Sequence, residues 1–289
     1  MFAGLTWGER SCPPVFLCPG RMQHSAVFRP LVTQLPDNFF YVAIDLPGNG
    51  YSDHFPKGVQ FTTYDLIPAV VIVQEHFKWD KFAFIGHSLG CSIGKHFNLA
   101  YPGRLTCLVE LDPTPPYLTV APLDFAAWYK EAYGDHYTDE GYRKHTRGKE
   151  SAPKYTYEQA KEMLKKAQDL TDEAVEYHLE RFLEPVGDGI YRLTYDQRMK
   201  SLFILPFTPE NLKDMYTRTD VPILCILATE SIHKGGYRHV PFVMDENAWP
   251  NKNYRFRIVS GNHDVLANDP GCMSEYISKF LLQGLKCKL

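Results

Sequence analysis

The sequence predicts an α/β fold, with a mostly parallel sheet covered by helices and interrupted by a helical insertion. Three observations carry this. In residues 1–112, four short apolar runs alternate with stretches of helix length. The same alternation returns in residues 221–289, whereas residues 113–220 carry little strand pattern. A glycine-flanked serine, Gly86-His87-Ser88-Leu89-Gly90, lies where one strand passes into one helix. Strand, helix and strand repeated in this way imply right-handed crossovers and a parallel sheet.

The strands follow in order. Pro14–Cys18 is an apolar run ended by Pro19-Gly20, and residues 41–46 form a second, ended by Pro47-Gly48. Residues 81–85 form a third, ended by Gly86, and residues 105–111 a fourth, ended by Asp112-Pro113. Between them, residues 26–35, 63–77 and 89–101 have the length and apolar period of helices. Residues 221–228 and 254–259 read as the closing strands, and 272–285 as a final amphipathic helix. In the insertion, Thr156-Tyr157-Glu158-Gln159 has capping-box spacing and opens a helix. Thr171-Asp172-Glu173 opens another, and Thr208-Pro209 places proline at a first helical position. The division is therefore core at 1–112, cap at 113–220 and core again at 221–289.

Composition narrows the function. Hydrophobic residues are 44% and charged residues 22% of the 289, ordinary globular values that exclude a disordered or collagen-like chain. Lys plus Arg is 31 against 34 for Asp plus Glu, and no basic block offers a nucleic-acid footprint. The apolar runs at 66–73 and 223–228 fall far short of the roughly 20 residues that span a bilayer. The N-terminus lacks a basic segment followed by an apolar one, so no secretory signal is expected. The seven cysteines are odd in number and form no Cys-x-x-Cys pair. They read as reduced, buried side chains, with no zinc site and no cofactor implied.

The serine motif is a nucleophile elbow, in which a sharp turn lifts the Ser88 hydroxyl to the top of the sheet. A serine needs a base to take its proton. Of eleven histidines, His263 in Gly261-Asn262-His263-Asp264 follows the last strand and so faces the same rim as Ser88. The carboxylate that orients the base has two candidates. Asp112 ends the strand after the elbow helix and is preferred, while Glu230 ends the next strand and is the alternative. Asp45 reads as a turn residue. The oxyanion hole requires backbone N–H groups, assigned to Leu89 and Arg21.

The chain resembles the α/β-hydrolases, and within them the serine hydrolase-like protein family. The resemblance lies in Leu5-Thr6-Trp7-Gly8, the Gly20 loop, residues 45–52, the elbow, Tyr101-Pro102 with Arg104, Leu111-Asp112-Pro113, Asp196-Gln197-Arg198 and Gly261-Asn262-His263. It implies a serine hydrolase with Ser88 as nucleophile and His263 as base. Some such relatives carry the acid at the position of Asp112; others carry it where this chain has Ser231. The usual His-Gly of the oxyanion loop is here Pro19-Gly20. Relatives begin with two antiparallel strands, and this chain begins inside the second, so an edge strand is expected to be missing.

The expected substrate is a small-molecule ester or thioester, cleaved without metal or cofactor. The alternative is a pseudoenzyme or ligand-binding protein that keeps the elbow without turnover. Phe125, Trp128, Tyr129, Tyr133 and Tyr137 either fix the cap to the core or line an acyl pocket, the first being preferred. Cys287-Lys288-Leu289 resembles the Ser-Lys-Leu peroxisomal address and implies an import receptor as partner, with a cytoplasmic location as the other reading.

Overall fold

The computed structural model describes residues 1–119, 124–134, 136–202 and 205–286. Seven strands make the main sheet: β1 (Gly4–Trp7), β2 (Pro14–Cys18), β3 (Phe40–Ile44), β4 (Phe82–His87), β5 (Leu105–Leu111), β9 (Ile223–Ala228) and β10 (Tyr254–Val259). A smaller sheet holds β6 (Lys154–Thr156), β7 (Leu183–Gly187) and β8 (Ile190–Leu193). The principal helices are α1 (Ile67–Phe77), α2 (Leu89–Ala100), α3 (Asp139–Thr146), α4 (Tyr157–Gln168), α5 (Asp172–Phe182), α6 (Pro209–Thr217) and α7 (Gly271–Gln283).

The main sheet runs β1-β3-β2-β4-β5-β9-β10. Only β1 is antiparallel to its neighbour. Its central strands are continuous apolar runs because both faces are covered. Alternation still divides them: Val15, Leu17, Ala83 and Ile85 enter one core, and Phe16, Cys18, Phe82 and Phe84 the other. The first core is closed by α4, α5 and α7, and the second by α1, α2 and α6.

All three predicted N-caps hold: Thr156, Thr171 and Thr208 each accept a backbone N–H from the first turn of their helix. Residues 26–35 form only a short 3-10 turn and one helical turn, Arg29–Val32. Between β5 and β9 the chain is not purely helical, since the antiparallel order β6-β8-β7 lies within it. These strands are short and half-exposed, include Pro185 and Gly187 and are joined through Gly189, so they lack the apolar period of core strands.

A buried ion pair ties α2 to β5. Lys95 Nζ lies 3.0 Å from Glu110 Oε2 and over the rings of Tyr117, Tyr216 and Trp249. Of the aromatic stretch expected to fix the insertion to the core, three rings are well exposed. Phe125 and Tyr129 are about half-exposed, Tyr137 is 78% exposed, and the rings at 125, 128, 129 and 133 pack against one another in stacked, tilted and edge-on pairs. The Cys-Lys-Leu tripeptide at 287–289 lies outside the described residues. Among the described residues, no helix is long and apolar enough to cross a membrane.

Candidate active site

The site is built where β4, β5 and β10 end. Ser88 takes φ +53° and ψ −116°, a conformation that a non-glycine residue adopts only under constraint. The constraint is visible: Ser88 N–H donates to Leu111 O at 3.0 Å, and Ser88 O accepts from Cys91 N–H at 3.1 Å. The flanking glycines are needed for space. A Cβ on Gly86 would lie 2.6 Å from Cys91 N, and one on Gly90 would collide with the Cys18 carbonyl of β2.

His263 follows β10, and its Nε2 lies 2.8 Å from Ser88 Oγ. Its Nδ1 lies 2.6 Å from Asp112 Oδ2. The carboxylate fixes the proton on Nδ1, which leaves Nε2 free to accept the serine proton within general-base reach. Asp112 is itself in the left-handed region, at φ +43°. It is 1% exposed, and its Oδ1 accepts from Ala228 N–H (3.0 Å) and Tyr237 OH (2.9 Å), while Ser231 Oγ donates to Oδ2.

The charges support one another. Burial pushes the Asp112 carboxyl up, but the hydrogen bond and charge of His263, with the Ser231 and Ala228 donors, outweigh it and hold it below the usual range. Burial disfavours the His263 imidazolium, but the hydrogen bond and charge of Asp112 raise it above its ordinary value.

The other candidates separate clearly. Glu230 lies in the first turn of the helix Thr229–His233 and pairs with Lys234 at 3.0 Å, whereas the carboxylate on His263 is that of Asp112. Ser231, where some relatives carry an acid, instead donates to Asp112. Leu89 opens α2, where backbone N–H groups lack helical acceptors. Arg21 lies in the turn closed by Gln23 N–H on Gly20 O, with Met22 at φ +60°. Asp45 holds its turn as expected, accepting from Ser25 and from Tyr51 N–H. It also pairs with Arg181 of α5 at 2.8 Å, which the sequence did not announce.

Three further participants escaped sequence reasoning. His87 lies against Gln23 Oε1 and the His263 carbonyl rather than Ser88; burial pushes its imidazole down to about 4, and the neutral ring has one N–H, which it can donate to only one of these two acceptors. Gln23 and Tyr237 lie 65 and 149 positions from Ser88, and no local spacing marks them. Among the described residues, no cluster of three or more His, Cys, Asp or Glu side chains is arranged to hold a metal ion.

Known proteins match over almost the whole chain. A family model described as alpha/beta hydrolase fold covers residues 13–269. A serine hydrolase-like protein of Danio rerio is 28% identical over 96% of this chain and 84% of its own. Serine hydrolase-like protein 2 of Homo sapiens is 26% identical over 96% and 90%. A hypothetical protein from Pseudomonas aeruginosa PAO1 superposes with a TM-score of 0.81 at 22% identity, covering 98% of this chain and 95% of its own. The match spans the elbow, the end of β5 and the loop after β10, and the chain belongs to the α/β-hydrolase fold family.

Proposed function

We propose that the protein is a serine hydrolase that cleaves a carboxylic ester or thioester through an acyl-enzyme. The observation that carries this is the continuous chain from Ser88 Oγ through His263 to Asp112. Ser88 Oγ attacks the substrate carbonyl carbon while His263 Nε2 takes its proton. The Leu89 and Arg21 N–H groups receive the negative oxygen of the tetrahedral intermediate, each such donor contributing about 10²–10³ in rate. His263 returns the proton to the leaving alcohol or thiol as its bond to carbon breaks. Water, deprotonated by His263, then cleaves the acyl-enzyme and regenerates Ser88. Asp112 holds the imidazole tautomer and stabilises the imidazolium.

In this reading residues 113–220 form a cap over the core made by 1–112 and 221–289, and Cys287-Lys288-Leu289 directs the chain to the peroxisome. A ligand-binding protein without turnover is the second reading, favoured by the burial of Ser88, which is only 7% exposed. A fluorophosphonate probe decides between them. The hydrolase labels covalently, and Ser88→Ala abolishes the label. Folded wild-type protein that resists the probe overturns the hydrolase reading.

A further inference from the structure

One buried amide joins the three segments that surround Ser88. Gln23 is 5% exposed. Its Oε1 accepts the Gly20 N–H at 3.0 Å and lies 2.8 Å from His87 Nδ1. Its Nε2 donates to Asp264 Oδ1 at 2.6 Å. Gly20 belongs to the loop after β2, His87 immediately precedes Ser88, and Asp264 immediately follows His263. The amide has one workable orientation. Reversed, it would set an N–H group against the Gly20 N–H and a carbonyl against a carboxylate.

The geometry makes each contact consequential for Ser88. A Cβ on Gly20 would lie 3.1 Å from Ser88 Cβ, so the loop backbone rests against the nucleophile. Gln23 occupies the Gly20 N–H, which leaves the next residue, Arg21, to supply the loop's oxyanion donor. On the other side, His87 Nε2 meets the His263 carbonyl at 2.8 Å, and Asp264 N–H donates to Asn262 Oδ1 at 3.1 Å. The segment carrying the base is therefore held through the same side chain that holds the oxyanion loop. Asp264 also lies 3.7 Å from His178 Nε2 of α5, so this group reaches the insertion.

We propose that Gln23 is a positioning residue that sets the Gly20–Arg21 loop and the His263 loop in one register against Ser88. The proposal rests on the acyl-transfer reading given above. Gln23→Leu strips the acceptor from Gly20 and the donor from Asp264 while keeping the side-chain size. Displacements of about 1 Å in such a site are enough to slow chemistry about 10²-fold. Gln23→Glu is the conservative partner. Two carboxyl groups in hydrogen-bond contact do not both ionise readily, so the introduced carboxyl and Asp264 together retain one proton at neutral pH, and an O–H replaces the amide donor.

The test is the rate of fluorophosphonate labelling of Ser88 across pH, on the full chain, with Ser88→Ala as control. Gln23→Leu is expected to label about 10²-fold more slowly at every pH. Gln23→Glu is expected to label near the wild-type rate at neutral pH and to lose that rate at alkaline pH, a limb that wild type lacks. Wild-type labelling by a folded Gln23→Leu protein overturns the proposal, and so does a Gln23→Glu profile equal to that of Gln23→Leu throughout. If Gln23→Leu does not fold, the alkaline limb of Gln23→Glu decides, its absence being the overturning result. If wild type itself is unlabelled, the acyl-transfer reading fails by that result alone. Hydrogen exchange at the Gly20 amide then judges the tether: exchange at least about tenfold faster in a folded Gln23 variant supports it, and unchanged exchange overturns it.

Discussion

The ends of β5 and β9 each present a carboxylate to the same rim, and their surroundings are opposite. After β5 the chain turns sharply at Asp112, whose carboxylate is buried beneath Ala228 N–H, Ser231 Oγ, Tyr237 OH and His263 Nδ1. After β9 the chain enters a short helix, and Glu230 is half-exposed beside Lys234. Three of the four donors on Asp112 come from β9 and the residues that follow it. The end of β9 therefore serves the site by supplying donors to the neighbouring strand's acid. A buried carboxylate stays ionised only where donors converge on it, so the supply of donors distinguishes the two positions more than their distance from a strand end does.

Substitutions can break this contrast. The largest effect is expected at Asp112→Asn, which should slow labelling or ester turnover about 10⁴-fold by losing the Nδ1–H tautomer of His263. The pH profile sharpens the point. In the proposed mechanism His263 must be neutral to act, so its raised value should place the wild-type acid limb above the ordinary 6.5, with activity present above the midpoint and lost below it. Removing the Asp112 charge should move that midpoint down. A midpoint unchanged in Asp112→Asn would show that Asp112 does not set the imidazole.

A smaller loss is expected at Tyr237→Phe, which removes one donor and leaves Asp112 with three. Turnover should fall roughly 3–10-fold, and chemical denaturation should register a loss of about 1.5–3 kcal/mol, the scale of a hydrogen bond to a charged group. Glu230→Gln should leave turnover within about twofold and stability within about 0.5 kcal/mol, because an exposed i,i+4 pair contributes little. Equal turnover losses at Asp112 and Glu230 would erase the difference between the two strand ends.

Much of the site was legible because its signals are local. The elbow announces Ser88 by five consecutive residues, and His263 is marked by the strand before it. Asp112 could be preferred on position, yet nothing near it in the chain reveals that Ser231 and Tyr237 would converge there. Gln23, His87 and Arg181 act through partners far away in sequence, which a linear pattern cannot register. The small sheet was missed for a different reason. Its strands cover half-exposed surface and are punctuated by proline and glycine, so neither apolar period nor length distinguishes them from loop.

The ties between α5 and the loop after β3 bear on how such a molecule can be recombined. Arg181 meets buried Asp45 and stacks on the Tyr51 ring. Asp196 N–H donates to Gly48 O, and Arg198 donates to the carbonyls of Phe55, Pro56 and Val59. A grafted 113–220 segment without a cation at position 181, set against the present residues 45–60, would strand buried Asp45, a defect that costs about 3–5 kcal/mol in buried pairs. Residues 45–60 and the 181–198 segment are joined by these contacts, so an exchange that keeps them matched must move both together.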